Sequence, residues 1–438
     1  MASVFYTAQK TIKNYASGGN VLIFATALAL LVVNLPFTRE IYESIWLNEV
    51  ELRVGDFNLF SHHGAPMSIM AFINDALMAL FFFSVGLEIK REVLVGELSS
   101  FRNALLPIIA AIGGMGVPVL IYWFMSKGTA YAGGAAIPMA TDIAFSLGVL
   151  AMLGNRVPIG LKVFLTTLAV VDDIGGIIVI AAFYSTHIDY MLLLYAAACM
   201  LVLFVGGKLG IQSKMFYVFL GAVVWFCFLN AGIHPTIAGV LVAFCVPAKP
   251  VYAPMKYIKT IRQNISFFAH EDDEHLNSRT ILSKEQMNWL KEIESSSDKV
   301  ISPLQDMEDT LHPLVNYIIV PLFAFANAGI FFGNMEISQL FHGIAPAIIV
   351  SLIGGKFLGI FLFAALCILL KWAPMPEGST WGSLAAVSLL GGIGFTVSLF
   401  IATLSFGTGD PVTSQLLNDS KLGILAGSLL AGILGWAA

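Results

Sequence analysis

Charge is scarce in this chain. Asp, Glu, Lys and Arg make up 12% of the residues, against 58% hydrophobic residues and a mean hydropathy of +0.83. That balance excludes a water-soluble globular protein and marks a polytopic α-helical membrane protein. Cysteine is almost missing. The four present, Cys199, Cys227, Cys245 and Cys367, all fall inside apolar runs without metal-ligand spacing, so they read as packing residues. The GxxxxGK[ST] pattern of nucleotide-driven transport does not occur. No basic face interleaved with aromatics is present, which argues against nucleic acid. The first 18 residues are polar, with Lys10, Lys13 and Asn14, and no A-x-A site follows the first apolar run, so no cleavable signal peptide is expected.

What the chain has in abundance is apolar runs. Twelve of roughly 15–25 residues, the length that spans hydrocarbon, lie near 20–37, 69–90, 104–125, 133–153, 159–183, 190–208, 214–232, 233–248, 312–333, 343–370, 380–404 and 416–436. The seventh and eighth are separated by a tight turn at Asn230-Ala-Gly-Ile-His-Pro235. With the N-terminus inside, nearly all Lys and Arg fall in cytoplasmic segments, and the outer loops keep only Arg39, Arg53, Lys127 and Lys421. This asymmetry puts both termini in the cytoplasm. The whole chain, 1–438, reads as one transmembrane domain with two long loops. The outer segment 38–68 contains Val50-Glu-Leu-Arg-Val-Gly-Asp-Phe-Asn-Leu-Phe60, a hairpin pattern around Gly-Asp. A lone hairpin is marginal in water. Pairing with a second copy and lying on its own outer surface are both open. The inner segment 249–311 is polar and carries His270-Glu-Asp-Asp-Glu-His275, which reads as a solvated charge run.

Against this apolar background the buried charges stand out. The fifth run, Leu161–Phe183, carries the adjacent pair Asp172 and Asp173 near its middle. Carboxylates at that depth cost a few kcal/mol each, and an intramembrane ionisable pair points to an ion or proton pathway. The fourth run holds Gly133, Gly134 and Pro138 just before Thr141 and Asp142. The eleventh holds Gly391, Gly392 and Gly394. Both are helices interrupted by helix breakers, at matching places in two three-span sets, the pattern of inverted repeats with discontinuous helices. Broken helices leave charged ends in mid-membrane. Asp142 is placed to face positive ends, and Lys356, in Gly354-Gly-Lys-Phe-Leu-Gly359, to face negative ends or an aspartate. Thr141 adds a hydroxyl oxygen. Hard alkali cations take such oxygen ligands.

The stretches PMATDIAFSLG, TTLAVVDDIGG, NAGIHPTIAGV, PLFAFANAG, GGKFLGI and LLGGIGFTVSLFIATLSF resemble the bacterial NhaA-type sodium/proton antiporters, as do INDALMALFFFSVGLEIKRE and the ELRVG hairpin. The likeness runs through nearly the whole chain outside 249–305. Inverted-topology repeats are a known feature of that family. The resemblance implies an all-α fold of about twelve transmembrane helices with spans 4 and 11 discontinuous, plus a small outer hairpin. It implies pH-regulated, electrogenic exchange of Na⁺ or Li⁺ for protons in the bacterial inner membrane, without a cofactor. Asp173 and Asp172 become the carriers of cation and proton, Asp173 the direct Na⁺ ligand, with Asp142 and Thr141 positioning the ion and Lys356 the buried lysine. Glu88, Glu308, Asp309 and His312 are expected at the cytoplasmic mouth where the family senses pH, Asp75 and His234 at further positions of interest. Asp309 departs from the family, which often has histidine there, and the inner loop is longer than usual. A homodimer through Val50, Leu52, Val54 and Phe60 of the hairpin is the implied assembly.

Two other classes compete. An intramembrane aspartyl protease needs two carboxyls facing each other. Asp172 and Asp173 lie about 100° apart on one helix, which leaves only Asp142 with Asp173 and gives Lys356 no role. A passive cation channel needs a ring of acidic or carbonyl-filter residues, and none is legible.

Overall fold

A backbone that crosses hydrocarbon has to satisfy its own N–H and C=O groups, so long apolar runs become helices. The computed structural model describes residues 18–438 except 56, 63–64, 186–187, 251–253, 269–281, 335–339 and 408–409. Its helices are α1 (Gly18–Asn34), α2 (Arg39–Leu47), α3 (Ile69–Leu94), α4 (Phe101–Ser126), α5 (Ile143–Leu153), α6 (Ile159–Phe183), α7 (Tyr190–Lys208), α8 (Lys214–Ala231), α9 (Thr236–Cys245), α10 (Pro254–Phe268), α11 (Lys284–Val300), α12 (Pro303–Asn327), α13 (Ile344–Leu369), α14 (Trp381–Leu390), α15 (Phe395–Phe406) and α16 (Pro411–Ala437). Among the described residues nine stretches are long and apolar enough to cross a membrane, and eleven if the bent pairs α1–α2 and α14–α15 each count as one. Of the twelve expected segments the first and eighth are short, with 17 and 10 helical residues. The turn between the seventh and eighth closes on Gly232, whose φ of +79° suits glycine.

The fourth and eleventh segments are not continuous helices. Ala132–Leu153 consists of single turns at Ala132–Gly134 and Ile137–Met139, extended backbone at Ala140 and Asp142, and then α5. In the eleventh, α14 stops at Leu390 and α15 starts at Phe395, bent by 40°. Three other helices hold a wide π-type turn that the sequence does not reveal: Phe72–Leu77 in α3, Val315–Ile319 in α12 and Ser351–Gly355 in α13. Such turns are frequent at functional sites. Here the first contains Asp75 and the third immediately precedes Lys356.

α4 packs along α13 and α6, and α16 packs against α13, α14 and α15, while α3 packs on α9 and α12. The α4–α13 crossing is close because Gly113 and Gly359 face each other. A Cβ on either would strike the other's carbonyl.

Several boundaries differ from the sequence reading. α16 begins at Pro411, because proline suits the first helical position. Lys421 therefore lies inside a helix and is buried, not in an outer loop. The inner segment ends earlier than 311: Ser302 caps α12, whose first residue is Pro303. The rest of that segment is not bare loop, since α10 and α11 pack together. The run His270–His275 lies outside the described residues. In the outer loop the hairpin is smaller than expected. β2 (Arg53–Val54) pairs with β3 (Phe57–Asn58) across Gly55, whose φ is +65°. Val50 is not part of it. β1 (Glu49–Val50) pairs with β5 (Ala65–Ser68), which also pairs with β4 (Ser61–His62). Leu52 is exposed, but Phe60 packs its ring on Phe72 and Trp225 of the same chain, at 5.0 and 6.5 Å between centroids.

Candidate functional site

The two interrupted helices meet at their breaks. The Asp142 N–H donates to the Ile393 carbonyl at 2.6 Å, the Ser146 hydroxyl to Leu390 at 3.2 Å, and the Ser398 hydroxyl back to Ile137 at 2.7 Å. A helix start leaves free N–H groups and a partial positive charge. The Asp142 side chain meets both starts. Its Oδ1 accepts from Phe145 N–H at 3.0 Å, capping α5. Its Oδ2 accepts from the N–H and the hydroxyl of Thr396, at 2.9 and 2.6 Å, in the first turn of α15. One carboxylate thus caps two helices. Thr396 was not assigned a role from sequence, although a lone hydroxyl just past a glycine-rich break in an apolar run is a usable signal.

Lys356 and Asp172 are fully buried and paired, Nζ to Oδ2, at 2.6 Å. Lys356 also donates to Thr141 Oγ1 at 2.9 Å. The Thr141 hydroxyl lies 2.7 Å from Asp172 Oδ2 and 2.9 Å from the Gly391 carbonyl, and its single proton serves one of them at a time. The lysine therefore meets an aspartate directly and a helix C-terminal carbonyl through Thr141.

Asp173 points another way, as its 100° offset requires. It is 4% exposed and lines a cavity of about 360 Å³ together with Thr141, Asp142, Thr396, Ser84, Glu88 and His312. Its Oδ1 and the Oδ1 of Asp172 are buried without a hydrogen-bond partner. The donors around the cavity's deep end are carboxylate and hydroxyl oxygens, a set suited to a hard cation. Among the described residues no group of three His, Cys, Asp or Glu side chains is gathered as in a tight metal centre.

The cavity's other end lies at exposed His312, beside Glu88 and the start of α1 at Gly18 and Gly19. Glu308, one turn before His312, is bound to Arg91 at 3.1 Å, and Arg91 also reaches Glu92 at 3.1 Å. Asn316 hydrogen-bonds His312 at 3.1 Å. Glu88, Glu308 and His312 thus gather at one mouth. Neither Glu308 nor Asp309 lines the cavity; Glu308 is buried against Arg91, whereas Asp309, one residue on, turns away on the helix and is exposed. Arg91 and Asn316 were missed from sequence, since neither stands in an unusual context there.

Asp75 and His234 come together on another side of the site. His234 Nε2 is 3.7 Å from Asp75 Oδ1, and Nδ1 is 2.8 Å from the Thr236 hydroxyl. Against His234 packs the fully buried ring of Phe400, one turn after the cavity-lining Thr396. Phe82, Phe323 and His234 surround it at centroid distances of 5.7, 6.2 and 5.3 Å. As for a protease dyad of Asp142 with Asp173, both oxygens of Asp142 are already committed to helix caps.

Comparison with known proteins shows the family of the chain. A family model described as Na⁺/H⁺ antiporter 1 matches residues 9–438. A protein of Phocaeicola vulgatus named Na(+)/H(+) antiporter NhaA is 54% identical over 436 residues, covering 98% of this chain and 95% of that protein. The proteins of that name from Bacteroides thetaiotaomicron and Helicobacter pylori are 50% and 43% identical, over 98% and 97% of this chain and 97% and 94% of their own length. With a match from end to end and relatives at this identity, the chain belongs to the Na⁺/H⁺ antiporter 1 family, whose members are membrane transporters and not enzymes.

Proposed function

We propose that the chain is a secondary antiporter that extrudes Na⁺, or Li⁺, in exchange for protons across the inner membrane of a bacterium, with twelve spans and both termini in the cytoplasm. The observation that carries this reading is a cavity lined at its deep end by buried Asp173, one residue from the Asp172–Lys356 pair. The positive-inside distribution of Lys and Arg makes the face with His312 and Glu88 the cytoplasmic one. Family membership supports the ions and the two inverted repeats crossing at their breaks.

Sodium enters past Glu88 and meets Asp173, with the oxygens of Thr141, Thr396 and Asp142 within the same cavity. Cation and proton compete for the same carboxylate oxygen, so sodium binding expels the Asp173 proton. Sodium also draws on Asp172, competing with the ammonium of Lys356, which releases a second proton. One Na⁺ leaves and two H⁺ enter per cycle, so one net positive charge moves inward. Movement of the packed repeats then exposes the site to the other side, where protons reload both groups and sodium departs. Glu88, Glu308 and His312, gathered at the mouth, tune activity with pH. Strand pairing between the hairpins of two copies builds a homodimer, with β2 and β3 as the joining strands.

The test is Asp173→Asn in proteoliposomes holding a pH gradient. A neutral amide is cheaper to bury than a carboxylate, so the variant folds, and Na⁺ and Li⁺ no longer dissipate the gradient. Normal Na⁺-dependent dissipation by the variant would remove Asp173 from the site.

A further inference from the structure

The inner segment takes no part in this exchange, yet it is folded. α10 and α11 run antiparallel. The Phe267 and Trp289 rings meet at 5.5 Å, and Lys299 lies 5.3 Å from the Tyr257 ring, so the start of each helix faces the end of the other. Only Ile301 and Ser302 separate α11 from α12. That end of the pair is therefore held where α12 begins, at the face that bears His312.

α10 has an uneven make-up. It carries Lys256, Lys259 and Arg262 and no acidic residue. At about 100° per residue, these cations share one half of the helix with Met255, Ile258 and Ile265. Tyr257, Thr260, Ile261 and Asn264 occupy the opposite half and are partly or fully buried. The first half is uncovered: Met255, Ile258 and Ile265 are 66%, 42% and 54% exposed. Among the described residues none of the three cations is in an ion pair. α11, by contrast, mixes both signs, with Glu285, Glu292 and Glu294 exposed beside Lys284 and Lys291. The exposed basic face free of acidic residues thus belongs to α10.

Large apolar side chains and unpaired cations on one helix face match the chemistry of a bilayer surface that carries anionic headgroups. The rest of the chain shows the same habit, since side chains such as Phe24 and Leu31 on the spanning helix α1 are 67% and 56% exposed. From this charge complementarity, and from the tether at Pro303, we infer that α10 docks on the anionic phospholipid surface of the membrane. Lys256, Lys259 and Arg262 lie among the headgroup phosphates, and Met255, Ile258 and Ile265 enter the acyl boundary. α11 rides on its far side. A pair standing free in water would leave all three apolar side chains wet beside a membrane they are able to reach.

The test uses the full chain in nanodiscs holding one copy each. The four native cysteines are replaced by alanine, and a polarity-sensitive dye is attached through Ile265→Cys. The discs contain phosphatidylcholine alone or with phosphatidylglycerol, plus a nitroxide-bearing lipid as quencher. Quenching is expected with phosphatidylglycerol and is to fall with added salt. The triple variant Lys256→Gln, Lys259→Gln, Arg262→Gln lowers the docked-to-free ratio by about fivefold per cation, roughly a hundredfold in all. Na⁺-dependent exchange by that variant stays near wild type, which shows that it is folded. Should the labelled protein not fold, backbone amide exchange of 254–268 in the wild-type chain gives the second reading: slower with phosphatidylglycerol if the inference holds. Equal exchange in both lipids, quenching that ignores lipid charge and the triple variant, or quenching found only when a disc holds two copies would each overturn it.

Discussion

Removing Lys356 is the sharpest perturbation of the proposed site. Lys356 and Asp172 are both 0% exposed and lie 2.6 Å apart, so solvent screening does not weaken their interaction. Breaking a buried pair from one side costs about 3–5 kcal/mol, because the remaining charge has no counter-ion. In Lys356→Gln the Thr141 hydroxyl is the partner left to Asp172 Oδ2, and it recovers roughly 1 kcal/mol of that. Asp172→Asn leaves the ammonium stranded and costs a similar amount. The double variant strands no charge, so it ends well above the sum of the two losses. A coupling of about 3 kcal/mol is expected from the cycle. Thermal midpoints of the four proteins in one detergent measure it, and charge movement on supported membranes measures exchange. Lys356→Gln also loses the second proton carrier, so its remaining exchange is slow. Lys356→Arg keeps the charge but has no proton to release, so its remaining exchange moves one proton per sodium and no net charge. Additive destabilisation, within about 0.5 kcal/mol, would refute the pairing argument. Electrogenic exchange by Lys356→Arg at an unchanged ion ratio would show that the lysine balances charge without carrying a proton.

Asp142→Ala removes the caps of α5 and α15 together, and at about 0.5–2 kcal/mol per cap its thermal midpoint should fall further than that of the exposed Asp410→Ala; equal midpoints would mean the shared cap contributes little. At the mouth, Glu308→Gln removes a negative charge beside Arg91. The local potential becomes more positive, fewer protons gather there, and the activity profile moves toward acid by on the order of half a pH unit. A fall in maximal rate with an unmoved profile would place Glu308 in structure alone; His312→Ala, measured in the same way, asks this of the histidine. Deleting the turn from Arg53 to Asn58 should give active monomers, as judged by mass at low protein concentration, because the transport groups all lie within one chain. A dimer that persists would place the joining surface elsewhere.

The sequence by itself determined the membrane class, the place of most of the long apolar helices and the residues worth suspecting. Bilayer thickness sets the length of a run, and the backbone's need for internal hydrogen bonds makes it helical. The boundaries of α6 and α7 follow directly from this. Buried charges are legible for a similar reason: Asp142, Asp172, Asp173 and Lys356 stand out because each is costly where it lies. Their partners were legible only in kind: the sequence pointed Lys356 to an aspartate and Asp142 to positive helix ends, but did not pair them with Thr141 and Thr396. Lys356 meets Asp172 and Thr141 across 184 and 215 residues, and Asp142 meets Thr396 across 254. Only packing brings such groups together, and only packing sends adjacent Asp172 and Asp173 to different surroundings, one to an ammonium and the other to a cavity. The π-type turns before Lys356 and around Asp75, the burial of Lys421 and the fold of α10 on α11 were settled in the same way. No local pattern encodes them, because each depends on which helix lies alongside.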